Sequence, residues 1–336
     1  MPEFNYLIIS FIINFLIFIF FKKITKYFNV LDYPDKKRKF QKDPVYLLGG
    51  TFIFINVILI AIFNFIYTDI IFTEFNSNRE NFAFIFGLFS FYLYGLYDDK
   101  YNLSANTKLI IPIIIILFVL YLDNGLLISN IYFSFLNHSI ELKSFSLIFT
   151  VLCFLLFVNA LNMFDGINLQ ASSYCVLFFL IFILKGVFND LSLIIIISLI
   201  LIIYYNSRNK IFLGESGIQQ LAFIITFIIL KSTKKDPTVL YADEIFLIMS
   251  VPGLDMFRLF LMRLINGKHP FKPDNFHLHH LMGKIFNKFQ TFILTFSFIA
   301  LSIVVYNVLN YNLIFIIFWV LLYISTVLFL INYKKK

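Results

Sequence analysis

Apolar runs about 20 residues long, the length that crosses the hydrocarbon core of a bilayer, recur along this chain from one end to the other. They fall at roughly 4–21, 46–67, 82–97, 108–122, 144–160, 169–187, 190–205, 212–230, 241–261, 289–308 and 312–331. Lipid offers the backbone no hydrogen-bonding partner, so segments of this kind are accommodated as helices. The predicted fold class is all-α: a polytopic integral membrane protein with about eleven transmembrane helices. Composition excludes a soluble globule, because 60% of the 336 residues are hydrophobic and only 14% are charged. Such a chain has too little polar surface to cover a core in water. The first run reads as a retained span, since no basic stretch precedes it and no small-residue cleavage site follows before the basic cluster. Cys153 and Cys175 both lie in apolar runs, which predicts neither a disulfide nor redox chemistry.

The basic residues set the expected orientation. Lys22, Lys23, Lys26, Lys36, Lys37, Arg38, Lys39 and Lys42 crowd the loop after the first run. If that loop is cytoplasmic and eleven spans alternate, 21 of the 27 basic residues fall at cytoplasmic ends and 6 at the other side, as the positive-inside rule requires. Lys231, Lys234 and Lys235 are a local exception. The N-terminus is then expected outside and the Lys334-Lys335-Lys336 tail inside. Although the formal charge is +8, this distribution points to anionic lipid or an anionic substrate rather than nucleic acid.

With that topology, the polar clusters all fall at cytoplasmic ends of spans. Asp98 and Asp99 follow an apolar segment, where adjacent carboxylates repel unless a cation or proton relieves them. The bland alternative is a cap for the next helix through Ser104, or simple exposure. Asn159, Asn162 and Asp165 step by three along the end of a span, an arc of about 120°. Asparagine amides there could pair with a planar base edge or simply join helices. Gly214-Glu215-Ser216-Gly217 opens the eighth run. Its free N–H groups would suit phosphate, and Glu215 could offer oxygen to Mg²⁺.

The loop after the ninth run carries four of the five histidines, in Arg263-x-x-x-Gly267-Lys268-His269-Pro270-Phe271-Lys272-Pro273-Asp274-Asn275-Phe276-His277-Leu278-His279-His280. With no thiolate and only Asp274 among the histidines, a zinc site is disfavoured. Histidines beside Arg263, Lys268 and Lys272 fit better as a cover over a diphosphate. Carboxylates for a metal, donors for an anion and amides for a base together suggest phosphoryl transfer at a membrane face.

In the order and spacing of these segments the chain resembles the polyprenyl-phosphate N-acetylhexosamine-1-phosphate transferases, from about residue 30 to 285. That superfamily also contains the phospho-N-acetylmuramoyl-pentapeptide transferases. The segments are Asp32-x-Pro34 with Arg38-Lys39, Pro44, Gly49-Gly50, Asp98-Asp99 with Leu103-Ser104 and Lys108, Asn159-Ala160-x-Asn162-Met163-x-Asp165-Gly166, Phe212-Leu213-Gly214-Glu215-Ser216-Gly217 and Pro273-Asp274-x-x-His277-Leu278-His279-His280. The His-Leu-His-His ending and the span count resemble the amino-sugar branch. The resemblance implies one transmembrane catalytic domain over 1–336, with motifs in cytoplasmic loops around 22–45, 98–107, 159–168, 206–217 and 262–288. It implies a bacterial inner-membrane enzyme that joins polyprenyl (undecaprenyl) phosphate to the N-acetylhexosamine-1-phosphate of a UDP-sugar. UMP is released, and a cell-surface glycan such as O-antigen is begun. Asp98 and Asp99 would be catalytic, and Glu215 with the same two aspartates would hold Mg²⁺, with Mn²⁺ as the alternative. Lys39, Asn159, Asn162, Asp165, Asn168, Arg263, His277, His279 and His280 would bind the nucleotide sugar. Membrane lipids join the two substrates as partners, nucleic acid does not, and a homodimer is left open.

Four departures from the family pattern stand out. Glu215 replaces the usual aspartate, Phe40 a frequent histidine, Asn168-Leu169 a common Asp-Gly and Asn275 a frequent arginine. Rival expectations are a muramoyl-pentapeptide transferase, a catalytically inactive scaffold and a lipid-phosphate transporter. The last would call for midplane charges and internal repeats.

Overall fold

The computed structural model describes residues 3–34, 43–68, 74, 75, 77–268, 274, 276–308 and 313–333. In chain order the elements are α1 (Glu3–Phe28), β1 (Leu31–Asp32), β2 (Val45–Leu47), α2 (Gly49–Thr68), α3 (Asn78–Tyr101), α4 (Ala105–Leu122), β3 (Asn130–Ile131), β4 (Ile140–Glu141) and α5 (Ser146–Phe164). There follow α6 (Gln170–Leu184), α7 (Asn189–Ser207), β5 (Ile211–Phe212), α8 (Gly214–Lys235), α9 (Ala242–Ile248), α10 (Ser250–Ile265), α11 (Leu278–Met282), α12 (Lys288–Val308) and α13 (Leu313–Tyr333).

Each of the eleven apolar runs contains a helix, but not each helix is a simple span. Among the described residues, eight helices are long and apolar enough to cross a membrane, or nine with one bent pair counted as a span. That pair is α9 and α10, bent by 76°, where the sequence predicts one continuous ninth span. Pro252 sits in the first turn of α10. It has no N–H to continue an α9 ladder, whereas a helix start tolerates it. Helix α6 has 15 residues, about 22 Å of rise, less than the hydrocarbon thickness of about 30 Å. Helix α3 has 24 residues, but polar groups occupy both its ends, from Asn78 to Asn81 and from Asp98 to Lys100.

Packing divides the chain into two units: residues 1–126 with 171–228, and 127–170 with 229–336. In the first unit, α1 and α2 pack on α7, and α3 packs on α4 and α2. A small sheet in the order β1-β2-β5 joins β1 to β2 antiparallel and β2 to β5 parallel. Its strands are too short to be read from a two-residue period. It nonetheless fixes the starts of α2 and α8: the Gly50 N–H donates to the Leu213 carbonyl at 3.0 Å, and Gln220 Nε2 to the Gly50 carbonyl at 2.8 Å. Phe223 of α8 packs against Phe84 and Phe91 of α3, and Phe227 against Phe75 and Phe84. A Cβ at Gly95 would overlap the backbone of Ser216, so the absent side chain is what lets the end of α3 meet the start of α8.

In the second unit, α5 packs on α10, α9 on α12, and α11 on α12 and α13. Leu247, Tyr306, Phe315 and Trp319 form a buried apolar cluster. Beside it, buried Asp243 accepts from the Ser134 N–H at 2.8 Å and Ser134 Oγ at 2.6 Å, and from the Tyr306 hydroxyl. This fixes the loop that joins β3 to β4 in the two-stranded ribbon.

Candidate active site

In the first unit, the junction of α3 and α4 places two of the expected residues, Asp98 and Asp99. Helix α3 stops at Asn102, whose left-handed backbone (φ 51°) returns an N–H to the Asp98 carbonyl at 2.9 Å. Ser104 then caps α4 by accepting from the Thr107 N–H. This short link, one of the bland readings of the sequence, brings Lys108 back against Asp98 with Nζ–Oδ2 2.5 Å. Asp98 is 1% exposed, and its Oδ1 accepts from the Leu103 N–H at 2.8 Å. Lys108 Nζ also lies 3.2 Å from Glu215 Oε1, and Gln219 Nε2 donates to Glu215 Oε2 at 3.3 Å. One ammonium therefore bridges two carboxylates.

Asp99 turns elsewhere. Its Oδ1 accepts from the Glu215 N–H at 2.8 Å and its Oδ2 from the Ser216 N–H at 3.1 Å. A carboxylate against the first amides of a helix satisfies orphan donors and faces the positive end of the helix dipole. Gly214 permits this with φ +75°, and a Cβ there would press on Asp99 Oδ2 at 2.8 Å. The amides at 215 and 216, expected from sequence to suit a phosphate, are thus occupied by a side chain of α3.

No group of three His, Cys, Asp or Glu among the described residues is placed to hold a metal ion. Asp98, Asp99 and Glu215 accordingly do not assemble as a preformed set. Two of them do fit Mg²⁺ in a narrower sense. Asp98 Oδ2 is buried and lacks a well-directed hydrogen bond despite its close ammonium. Together with Glu215 it offers hard oxygens facing a shared cation. Mg²⁺ typically takes one or two carboxylates and completes its shell with water and substrate phosphates, so a third protein ligand is not required.

In the second unit, Asn159 bonds back to its own helix, Nδ2 to the Leu155 carbonyl at 2.7 Å. Asn162 is half-buried one turn further on, and exposed Asp165 caps α5. Asn168 leads into Leu169, which adopts φ 71°, a left-handed backbone that glycine takes freely and a branched side chain does not. The common Asp-Gly of the family would suit this turn better than Asn168-Leu169. A Cβ at Gly166 would overlap the ring of His279, so the end of the Asn159–Asp165 series and the histidine segment are in direct contact.

His277, His279 and His280 form one cluster: the first two rings lie 5.4 Å apart at 7°, and the last two 4.3 Å apart. His279 is 4% exposed, and its Nε2 has no hydrogen-bond partner among the described residues. Burial first, then the charges of His280 and His277, push this imidazole down to about 3, so it is neutral at physiological pH. Burial lowers His280 as well. Arg263 is committed to Asp274 through Nε–Oδ2 at 2.8 Å, and the carboxyl of Asp274 is held below its ordinary value by that guanidinium and by the Phe276 amide, against desolvation. Lys39, also expected at the nucleotide sugar, lies outside the described residues, as do Phe40, His269, Lys272 and Asn275.

Sequence reasoning missed Asp255 and understated Lys108. Asp255 is 6% exposed and accepts from Arg258, Tyr323, His277 and the Leu278 N–H. The signal was present as Asp255-x-x-Arg258 within an apolar run, where ionisable residues are functional candidates by default.

Among the described residues, the long apolar helices define a multi-pass membrane protein, with buried carboxylates and histidines at helix ends. Residues 81–233 match the model of the glycosyl transferase family 4. It is similar to a probable undecaprenyl-phosphate N-acetylglucosaminyl 1-phosphate transferase of Bacillus subtilis (strain 168), 27% identical over 94% of this chain and 89% of the relative. It is also similar to the undecaprenyl-phosphate alpha-N-acetylglucosaminyl 1-phosphate transferases of Yersinia pestis, 26% identical over 92% and 85%, and Pasteurella multocida (strain Pm70), 28% identical over 82% and 77%.

Proposed function

We propose that this chain transfers N-acetylhexosamine-1-phosphate from a UDP-sugar to polyprenyl phosphate at the cytoplasmic face of the bacterial inner membrane, with its N-terminus outside. The observation that carries the proposal is a pair of carboxylates, buried Asp98 and half-buried Glu215, sharing one cation at the end of an apolar helix. Buried like charges at a membrane boundary are costly and need a role. Supporting it are the similar relatives, whose names describe this reaction.

In the reaction, an oxygen of the lipid phosphate attacks the sugar-bearing β-phosphorus. The bond from that phosphorus to the bridging oxygen breaks, and the electron pair leaves with UMP. A bound Mg²⁺, held by Asp98 and Glu215, would neutralise phosphate charge. Asp98 orients the attacking phosphate and takes its residual proton from the fraction still protonated. Lys108 compensates charge beside it. Asp99 holds the start of α8, and so Glu215, in place. Asn159, Asn162, Asp165 and Asn168 present polar groups to the nucleotide. His277, His279 and His280 meet the sugar diphosphate, with neutral His279 offering one donor and one acceptor.

The test is UMP release by purified enzyme with polyprenyl phosphate and a panel of UDP-sugars, with and without Mg²⁺. Magnesium-dependent release with a UDP-N-acetylhexosamine is expected, lost in Asp98→Asn and reduced in Asp99→Asn. Wild-type rates in both variants would remove the acidic pair from the mechanism. Turnover of a muramoyl-pentapeptide donor alone would move the chain to the other branch.

A further inference from the structure

The proposed transfer leaves several buried acids unused, and Asp255 is the one that contacts the histidine segment. Asp255, in the apolar α9–α10 pair, is surrounded by donors from three elements. Its Oδ1 accepts from Arg258 Nη2 at 2.7 Å, the Tyr323 hydroxyl of α13 at 3.0 Å and the Leu278 N–H at 3.1 Å. Its Oδ2 faces His277 Nδ1 at 3.0 Å. Arg258 Nη2 also donates to the Phe276 carbonyl at 2.6 Å, so Asp255 and its partner hold the chain on both sides of His277. A carboxylate can only accept; the proton of His277 therefore sits on Nδ1, and Nε2 is the ring nitrogen left for a ligand. An ion pair for stability would need Arg258 alone. The additional convergence of a tyrosine, a backbone amide and an imidazole fixes one ring orientation.

We infer that Asp255 and Tyr323 are positioning residues that act through His277, holding its Nδ1–H so that Nε2 engages a phosphoryl oxygen of the sugar nucleotide. When that oxygen approaches, Nε2 takes a proton from water, the carboxylate behind the ring supports the resulting imidazolium, and Nε2–H becomes a charge-assisted donor. Tyr323 and Arg258 share the opposite oxygen, which keeps Oδ2 aimed at the ring. The inference rests on the reading of His277 as a contact of the nucleotide sugar.

The test combines two measurements on the full chain in detergent. The first is ¹⁵N NMR of labelled histidines, with His277 assigned by its loss in His277→Gln. A single Nδ1–H tautomer is expected in the wild type and its loss in Asp255→Asn; a tautomer mixture in the wild type overturns the inference. The second is a double-mutant cycle on UMP release. Losing a hydrogen bond to a charged group should raise KM for the UDP-sugar about tenfold or more in Asp255→Asn, with kcat less affected. Tyr323→Phe, which keeps the packing, should raise it about three- to fivefold. In a His277→Gln background both effects should shrink to less than about twofold, because coupled residues are non-additive. Full additivity, or a loss of thermal stability alone, overturns the inference. If no UDP-sugar is turned over, the functional reading fails, and the tautomer measurement still decides the positioning claim.

Discussion

Replacing Lys108 with methionine isolates the electrostatics of the acidic site, because the side chain keeps most of its length and loses only its charge. In the wild type the ammonium sits 2.5 Å from Asp98 Oδ2 and 3.2 Å from Glu215 Oε1. Asp98 is 1% exposed, so without Lys108 its Oδ2 has no compensating charge. Removing one partner of a buried pair costs about 3–5 kcal/mol. The Lys108 side chain is 33% exposed, water can partly replace it, and the low end, about 3 kcal/mol, applies. At about 2 °C per kcal/mol for a chain of this size, the apparent Tm in detergent should fall by about 6 °C. Adding millimolar Mg²⁺ should restore part of that loss, since a divalent cation can take the position the ammonium leaves. Differential scanning fluorimetry of wild type and variant, with Mg²⁺ or with chelator, provides the readout. An unchanged Tm would show that the bridge contributes nothing. A lowered Tm that Mg²⁺ does not lift would refute the claim that Asp98 and Glu215 form a cation site.

Two further outcomes follow from local geometry. Leu169→Gly should raise stability by about 1 kcal/mol, because the left-handed backbone at φ 71° costs about 1–2 kcal/mol with a side chain, partly offset by lost packing; a lower Tm would contradict the strain. Burial holds His279 at about 3 in the folded chain against an ordinary 6.5, so only the unfolded chain takes its proton as pH falls below 6.5. Its stabilising contribution is complete above pH 6.5 and declines by about 1.4 kcal/mol per pH unit towards pH 3. Denaturation between pH 6.5 and 5 should therefore show a steeper loss in the wild type than in His279→Gln; equal slopes would contradict the buried neutral ring.

The apolar runs were legible because lipid leaves the backbone a single solution over long segments, and hydropathy reports it directly. The break at Met249 and the short β1-β2-β5 sheet were not, since two-residue strands carry no periodicity and Pro252 is tolerable inside many membrane helices. Asp98, Glu215 and the histidines were visible as polar residues at the ends of apolar runs. Their partners were not: Asp99 on the amides of α8 and Lys108 between two carboxylates depend on contacts 116 and 107 residues apart in sequence, which no local pattern encodes. Gly95, unremarkable in sequence, proves to set the approach of α3 to α8. Asp255 was overlooked because an isolated acid in an apolar stretch gives no hint of which distant hydroxyl or imidazole will reach it.

The most direct measurement follows the phosphates. Polyprenyl phosphate and a UDP-N-acetylhexosamine labelled at the β-phosphorus, each with a distinct isotope, are incubated with the enzyme and Mg²⁺. Phosphoryl transfer predicts both labels in one lipid diphosphate product and unlabelled UMP in solution. Label released as UDP, with the lipid gaining sugar but no second phosphate, would contradict the account.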